Sequence, residues 1–252
     1  MKQSTILRIC FIGLLLSLYY VGMASSAPTP GGPYNISVIS SSTRGADAPS
    51  SISAVAGNVT QLRIYAFSQT QTWQGYYGNV TGSVTLETSQ GRSIYHWELT
   101  NPSGQIFAST STVNFAAGNI ACYNFSKTAP GYFNLTAYEN SLSIPSTAVD
   151  GINETFNESV NYDPFYVGIT YINTTCPVVY LYNASNQSSR TTYQEVLLYD
   201  NSSNRTVFTS LIRPGGIAGF NTQAWDFEMI VAENGRNDDT QPTPYYFYVA
   251  LE

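Results

Sequence analysis

The sequence predicts an all-β fold, an antiparallel β-sandwich of immunoglobulin-like or jelly-roll-like type. Three observations carry the expectation. Short runs rich in Val, Ile, Thr, Tyr and Phe recur from residue 57 to the end. Turn residues separate these runs at near-regular spacing, as in sandwiches. No stretch beyond the first 26 residues holds its apolar residues at a helical period. One large sandwich and two small ones fit equally well.

Residues 1–26 read as a secretory signal peptide. Lys2 and Arg8 precede the apolar run from Ile9 to Ala24, and Ala24-Ser25-Ser26-Ala27 supplies a small-residue exit. Sixteen apolar residues are marginal for spanning about 30 Å of hydrocarbon, so cleavage is the simpler reading. The rival reading, a retained anchor or pilin-type core helix, lacks a prepilin-type processing site. No membrane span is expected after the leader is removed. Residues 27–56, rich in Pro, Gly and Ser, predict an extended tail or linker. The body divides at 127–131 into a first β-domain or half, 57–127, and a second, 128–252.

The strands follow in order. Residues 59–67 form the first expected strand. Val84 and Leu86 alternate with Thr85 and Glu87, and Tyr95, Trp97 and Leu99 alternate with His96 and Glu98. Folding about Ser89-Gln90-Gly91-Arg92 sets Leu86 opposite Tyr95 and Val84 opposite Trp97 on one face. Asn101-Pro102-Ser103-Gly104 has the make-up of a type I turn, which would set Leu99 opposite Ile106 and Trp97 opposite Ala108 and extend the hairpin into a meander. Further strands are expected at 133–139, 165–172 and 178–183. Residues 193–200 and 205–212 flank Asn201-Ser202-Ser203-Asn204, a hairpin that places Asp200 beside Arg205 and Leu198 beside Val207. Gly215-Gly216-Ile217-Ala218-Gly219 reads as a loop or flexible strand, and 226–233 and 245–251 complete the set.

Charge and cysteine usage fit export. Only 10% of residues are charged, against the usual quarter. The chain carries −6, and two of its positive residues lie in the leader, so the remainder sits near −8 with Lys127 as its one lysine. Such a chain has no electrostatic footprint for nucleic acid. Cys122 and Cys176 remain after the leader leaves. A bridge between them is expected in an oxidising compartment, two buried thiols being the alternative.

Asn-x-Ser/Thr occurs at Asn35, Asn58, Asn79, Asn124, Asn134, Asn153, Asn157, Asn173, Asn183, Asn186, Asn201 and Asn204, twelve of the twenty asparagines. Composition alone gives about four. The excess predicts an N-glycosylated surface, with sugar in place of the missing charge.

Catalytic chemistry is sparse. His96 is the single histidine, on the polar face of its strand. No nucleophile elbow, phosphate-binding loop or dinucleotide fingerprint occurs. Asp226 with Glu228, and Glu154 with Glu158, are the nearest carboxylate pairs, at spacings that specify nothing. Residues 234–239 form an oxygen-rich loop that matches no calcium-loop spacing. No enzyme activity, metal or cofactor is expected. Tyrosine is in surplus at 20 copies, and Trp73, Tyr76 and Tyr77 form a cluster able to stack on sugars or on protein.

Gly57-Asn58-Val59-Thr60, Thr72-Trp73-Gln74-Gly75-Tyr76-Tyr77-Gly78-Asn79-Val80, Ile94-Tyr95-His96-Trp97 and Ile106-Phe107-Ala108-Ser109 resemble segments of secreted archaeal surface proteins. The resemblance covers about a third of the chain. It implies a cell envelope or extracellular filament and no activity.

Two functions are therefore expected. In the first, the chain is a structural subunit that polymerises with its own copies into a filament or surface layer, Tyr34, Ile36 and Val38 being donated as a strand to a neighbour's sheet. In the second it is an adhesin or carbohydrate-binding module working through Trp73, Tyr76 and Tyr77.

Overall fold

The computed structural model describes residues 28–125, 134–156, 161–236 and 241–252. The expected signal peptide, Asn157 and Glu158 lie outside them. In chain order the strands are β1 (Trp73–Gly78), β2 (Ser83–Glu87), β3 (Ser93–Glu98), β4 (Gly104–Ser109), β5 (Ile120–Cys122), β6 (Phe165–Val167), β7 (Thr170–Ile172), β8 (Val178–Leu181), β9 (Tyr193–Asp200), β10 (Arg205–Leu211), β11 (Ile217–Ala218), β12 (Ala224–Trp225), β13 (Phe227–Ala232) and β14 (Tyr246–Leu251). Two short helices, α1 (Leu135–Ser141) and α2 (Ile152–Thr155), lie between β5 and β6. The fold is all-β, antiparallel and sandwich-like.

Val196-Leu197-Leu198-Tyr199 is apolar at every position, a pattern that suits a strand covered on both faces. β9 is buried along its whole length at the middle of a six-stranded sheet ordered β14-β4-β10-β9-β5, with β8 also paired to β9. Alternation sends its side chains into two cores. Leu197 and Tyr199 join Ile106, Ala108 and Phe208 under β13 and the helices. Val196 and Leu198 join Phe107, Val207 and Leu211 against Phe165, Val167, Ile172 and Tyr162. β1 and β13 form a second, two-stranded sheet above the first core. Polar ties fasten that layer down: buried Ser210 donates to the Glu228 carbonyl at 2.8 Å, and the Ile230 amide donates to buried Glu195 at 2.7 Å.

Two hairpins have the expected register. β2 pairs with β3 with Val84 opposite Trp97 and Leu86 opposite Tyr95. β9 pairs with β10 with Asp200 opposite Arg205 and Leu198 opposite Val207. Residues 165–172 form two strands, β6 and β7, folded on each other. Cys122 and Cys176 form a disulfide across 54 residues, with Cys176 fully buried in the second core.

Four expectations are corrected. The meander stops at β3: β4 pairs with β10 and β14 instead. Its Ile106 and Ala108 face one core and Phe107 the other, so its place is inside a sheet and not beside a hairpin that is apolar on one face. Gly104, at φ 123°, is where β14 crosses closest, and a Cβ there would lie 2.0 Å from the Ala250 carbonyl oxygen. The strand expected at 133–139 is helix α1, which the Asn134 side chain caps by accepting from the Ala137 amide. Leu135, Tyr138 and Leu142 pack from it onto the first core at helical spacing. With α2, it shows that helix is present beyond the first 26 residues. Residues 59–67 form no strand, and among the described residues no strand lies beside them. The irregular tail therefore continues past residue 56, up to β1.

Candidate functional site: an unpaired tail and an open sheet edge

Between Tyr34 and Phe67, eleven large apolar side chains are 52–107% exposed, among them Tyr34, Ile36, Val38, Ile64, Tyr65 and Phe67. A folded chain seldom leaves so much apolar surface on one contiguous segment. The segment is tied at both ends. At its start, Gly31 exchanges two backbone bonds with Val249, of 3.0 and 2.8 Å. At its end, Thr70 donates to Asp150 at 2.7 Å, Trp73 donates its indole N–H to the Asp150 carbonyl, and Arg236 pairs with Asp150 and Thr72. Burial alone would raise the Asp150 pKa. The Thr70 hydrogen bond and the Arg236 charge outweigh it and hold the carboxyl below its ordinary value. Among the described residues, no backbone bond joins 33–69 to the body.

The edge that Gly31 touches is open. β14 is the last strand of the six-stranded sheet, with β4 on its inner side. The Gly31 bonds show that Val249 turns its N–H and C=O outward, and strand geometry gives Phe247 and Leu251 the same aspect. Among the described residues only Gly31 pairs there. Phe247, Val249 and Leu251 are half-buried against the first core, and Tyr76 meets Phe247 edge to face at 5.3 Å. Burial, with Glu233 adding a like charge, raises the Tyr76 pKa. Between β1 and Tyr245 lies a groove of about 380 Å³, bordered by Trp73, Tyr76, Val231 and Glu233. A sandwich with a two-stranded layer over a six-stranded one leaves its flank unfilled at this place.

The aromatic trio does not share one surface. Trp73 lies inward, 6.0 Å from Phe156 and 6.2 Å from Phe208. Tyr76 lines the groove. Tyr77 is 41% exposed and joins Phe220 at 4.9 Å and Trp225 at 5.0 Å, a cluster whose other members the sequence did not single out. The β2–β3 hairpin is exposed throughout, including Val84, Leu86, Tyr95 and Trp97, with His96 stacked on Tyr95.

Every sequon acceptor among the described residues reaches the surface. Asn201 and Asn204 stand at the β9–β10 tip, Asn204 in the left-handed region that a tight turn requires. Asn173 and Asn183 accept bonds from the residues that follow them, in local turns.

Asp226 and Glu228 accept from different backbone amides, and the partner expected for Glu154 lies outside the described residues. Asp226 accepts from the Val80 amide, while Glu228 is buried and accepts from the Phe220 amide. Burial lifts Glu228 to about 7, the Phe220 N–H opposing it. Glu154 lies beside Glu139, and part of the 234–239 loop is outside the described residues. No cluster of three or more His, Cys, Asp or Glu able to hold a metal occurs among the described residues, and no described helix is long and apolar enough to cross a membrane.

Fold and surface together define an all-β, sandwich-like protein whose described residues include an open β14 edge and a long unpaired tail. The chain matches no family model, no curated protein and no solved structure.

Proposed function

We propose that the chain is a secreted, N-glycosylated structural subunit that self-assembles into an extracellular filament or surface layer. The tail of one copy serves as a strand for the sheet of the next. One observation supports this above the others: the same chain carries an exposed apolar segment and an unpaired sheet edge beside a half-filled groove. Each is a liability alone, and each is what the other lacks. Burying Tyr34, Ile36 and Val38 would contribute roughly 5 kcal/mol before ordering costs. Head-to-tail addition does not close on itself, so it yields a polymer. The sequons, the acidic charge and the disulfide agree with an extracellular setting.

Electron microscopy of the protein purified in mild buffer tests the reading. Regular filaments or sheets are expected, and removal of residues 33–67 is expected to leave monomers. Polymers of normal length from the shortened chain would overturn it. The exposed Tyr77–Phe220–Trp225 cluster favours a second reading, an adhesin or sugar-binding module. Sugar binding that is lost in Trp225→Ala, from a protein that stays monomeric, would establish that one instead.

A further inference from the structure

Resting on that reading, we infer that the chain is built so that it cannot complete its own sheet, and that the β14 edge beside Phe247 and Tyr245 takes the Tyr34, Ile36 and Val38 strand of a second copy. The argument is one of register. Gly31 and Val249 exchange both backbone bonds, which fixes them as a directly opposed, hydrogen-bonded pair of an antiparallel ladder. Continuing that ladder would set Pro33 opposite Phe247 and Asn35 opposite Tyr245.

Both positions are wrong for it. The next bonded place requires an N–H from residue 33, and proline has none. Directly opposed residues point to the same face, and Phe247 faces the first core. The tail's own register would therefore turn Pro33, Asn35 and Ser37 toward the groove and Tyr34, Ile36 and Val38 away from it. Asn35 is moreover a glycan acceptor, which cannot enter a groove of about 380 Å³ with its sugar attached. The chain leaves its own edge after Gly31, and Tyr34 is 107% exposed.

A slip of one residue reverses all of this, because it moves a strand's whole apolar set to the other face. In that register Tyr34 lies opposite Phe247, Ile36 opposite Tyr245 and Val38 opposite Thr243. All three have amide hydrogens, and Asn35 and Ser37 then point outward. The chain held at Gly31 cannot make the slip. A tail arriving from another copy is not held there and can.

Deletion of Gly32 tests the rule, since it shifts the tail by one residue while Gly31 stays bridged. The Gly32 deletion is expected to fill its own edge, remain monomeric and slow amide exchange at residues 34, 36 and 38 by about tenfold or more relative to unmodified monomer. Deletion of Gly45, beyond the donated residues, is expected to polymerise like the unmodified chain. A length-preserving variant, Pro33→Val with Asn35→Ile and Ser37→Val, is expected to reproduce the Gly32 result. Unslowed exchange in folded monomers of both self-filling variants would overturn the register rule, as would a protected tail in unmodified monomer. Failure of the unmodified chain to polymerise would count against the subunit reading alone, because exchange in monomers still decides the rule.

Discussion

Glu195 and Glu228 are buried at the seam where β13 lies on the main sheet, and each accepts one backbone N–H. Burial raises Glu195 well above its ordinary value and Glu228 to about 7, the amide bonds opposing. A carboxyl whose folded pKa is raised contributes most below its unfolded value, near 4.5, and loses that contribution as pH climbs through the folded pKa. The melting temperature is expected to fall between pH 4.5 and 7.5, and Glu228→Gln to flatten the fall. Thermal melts across that range check it, and a melting temperature that rises toward neutrality would refute it. Trp73 illustrates a different weighting. Its ring packs on Phe156 and Phe208 and its N–H is bonded, so Trp73→Ala is expected to cost about 3 kcal/mol by denaturant titration, whatever its effect on sugar binding.

At the scale of elements, the β2–β3 hairpin packs its apolar face on nothing else described in the chain. Val84→Ser and Leu86→Ser are therefore expected to change monomer stability by less than about 0.5 kcal/mol each, which chemical denaturation measures directly. A loss several times larger would mean that the hairpin is covered in the monomer. Its register was legible because alternation and a four-residue turn are local signals, and the β9–β10 hairpin was legible for the same reason. The place of β4 was not: a turn after β3 argues for the nearest partner, whereas two-sided burial sends the strand between β10 and β14, more than ninety residues away in sequence. Helix α1 was misread since Leu135, Tyr138 and Leu142 fit a helical stripe only once Asn134 is seen as its cap. The alternation at 34–38, on which the proposed donation rests, is a local signal. The open β14 edge is not, because an edge is defined by the strand that fails to lie beside it, which no local pattern records. Residues 59–67 mislead in the converse way: their composition is that of a strand, but the described residues supply no partner strand.

Across the whole molecule, ion pairs set a lower bound to the useful pH. Asp163 is lowered despite burial by the Arg190 and Gln194 hydrogen bonds and the Arg190 and Arg213 charges, and Asp150 by Thr70 and Arg236. Groups with depressed folded values contribute fully above about 3.8 and lose that contribution as acid protonates them. With the buried glutamates acting in the opposite sense, stability is expected to peak near pH 4–5, below neutrality, as calorimetry across pH 2–8 measures. A maximum at pH 7 or above would exclude this balance. The disulfide adds a pH-independent share, about 4 kcal/mol on the chain-entropy account, which reduction under native conditions would remove.

The Cys122–Cys176 bond has a consequence for how the molecule survives a protease. Cutting the chain anywhere between the two cysteines opens a covalent ring and releases nothing: both pieces still run as one band until a reductant is added. Five of the twelve Asn-x-Ser/Thr sequons lie on that ring, so the N-glycosylation proposed above would screen the stretch where a cut does least harm. The 33–69 segment has no such insurance. A single nick there, outside the Val55–Asn58 turn, leaves the two parts of the chain joined by the Gly31 bridge and no other backbone bond among the described residues, and in the proposed assembly it would cost the body the strand it donates.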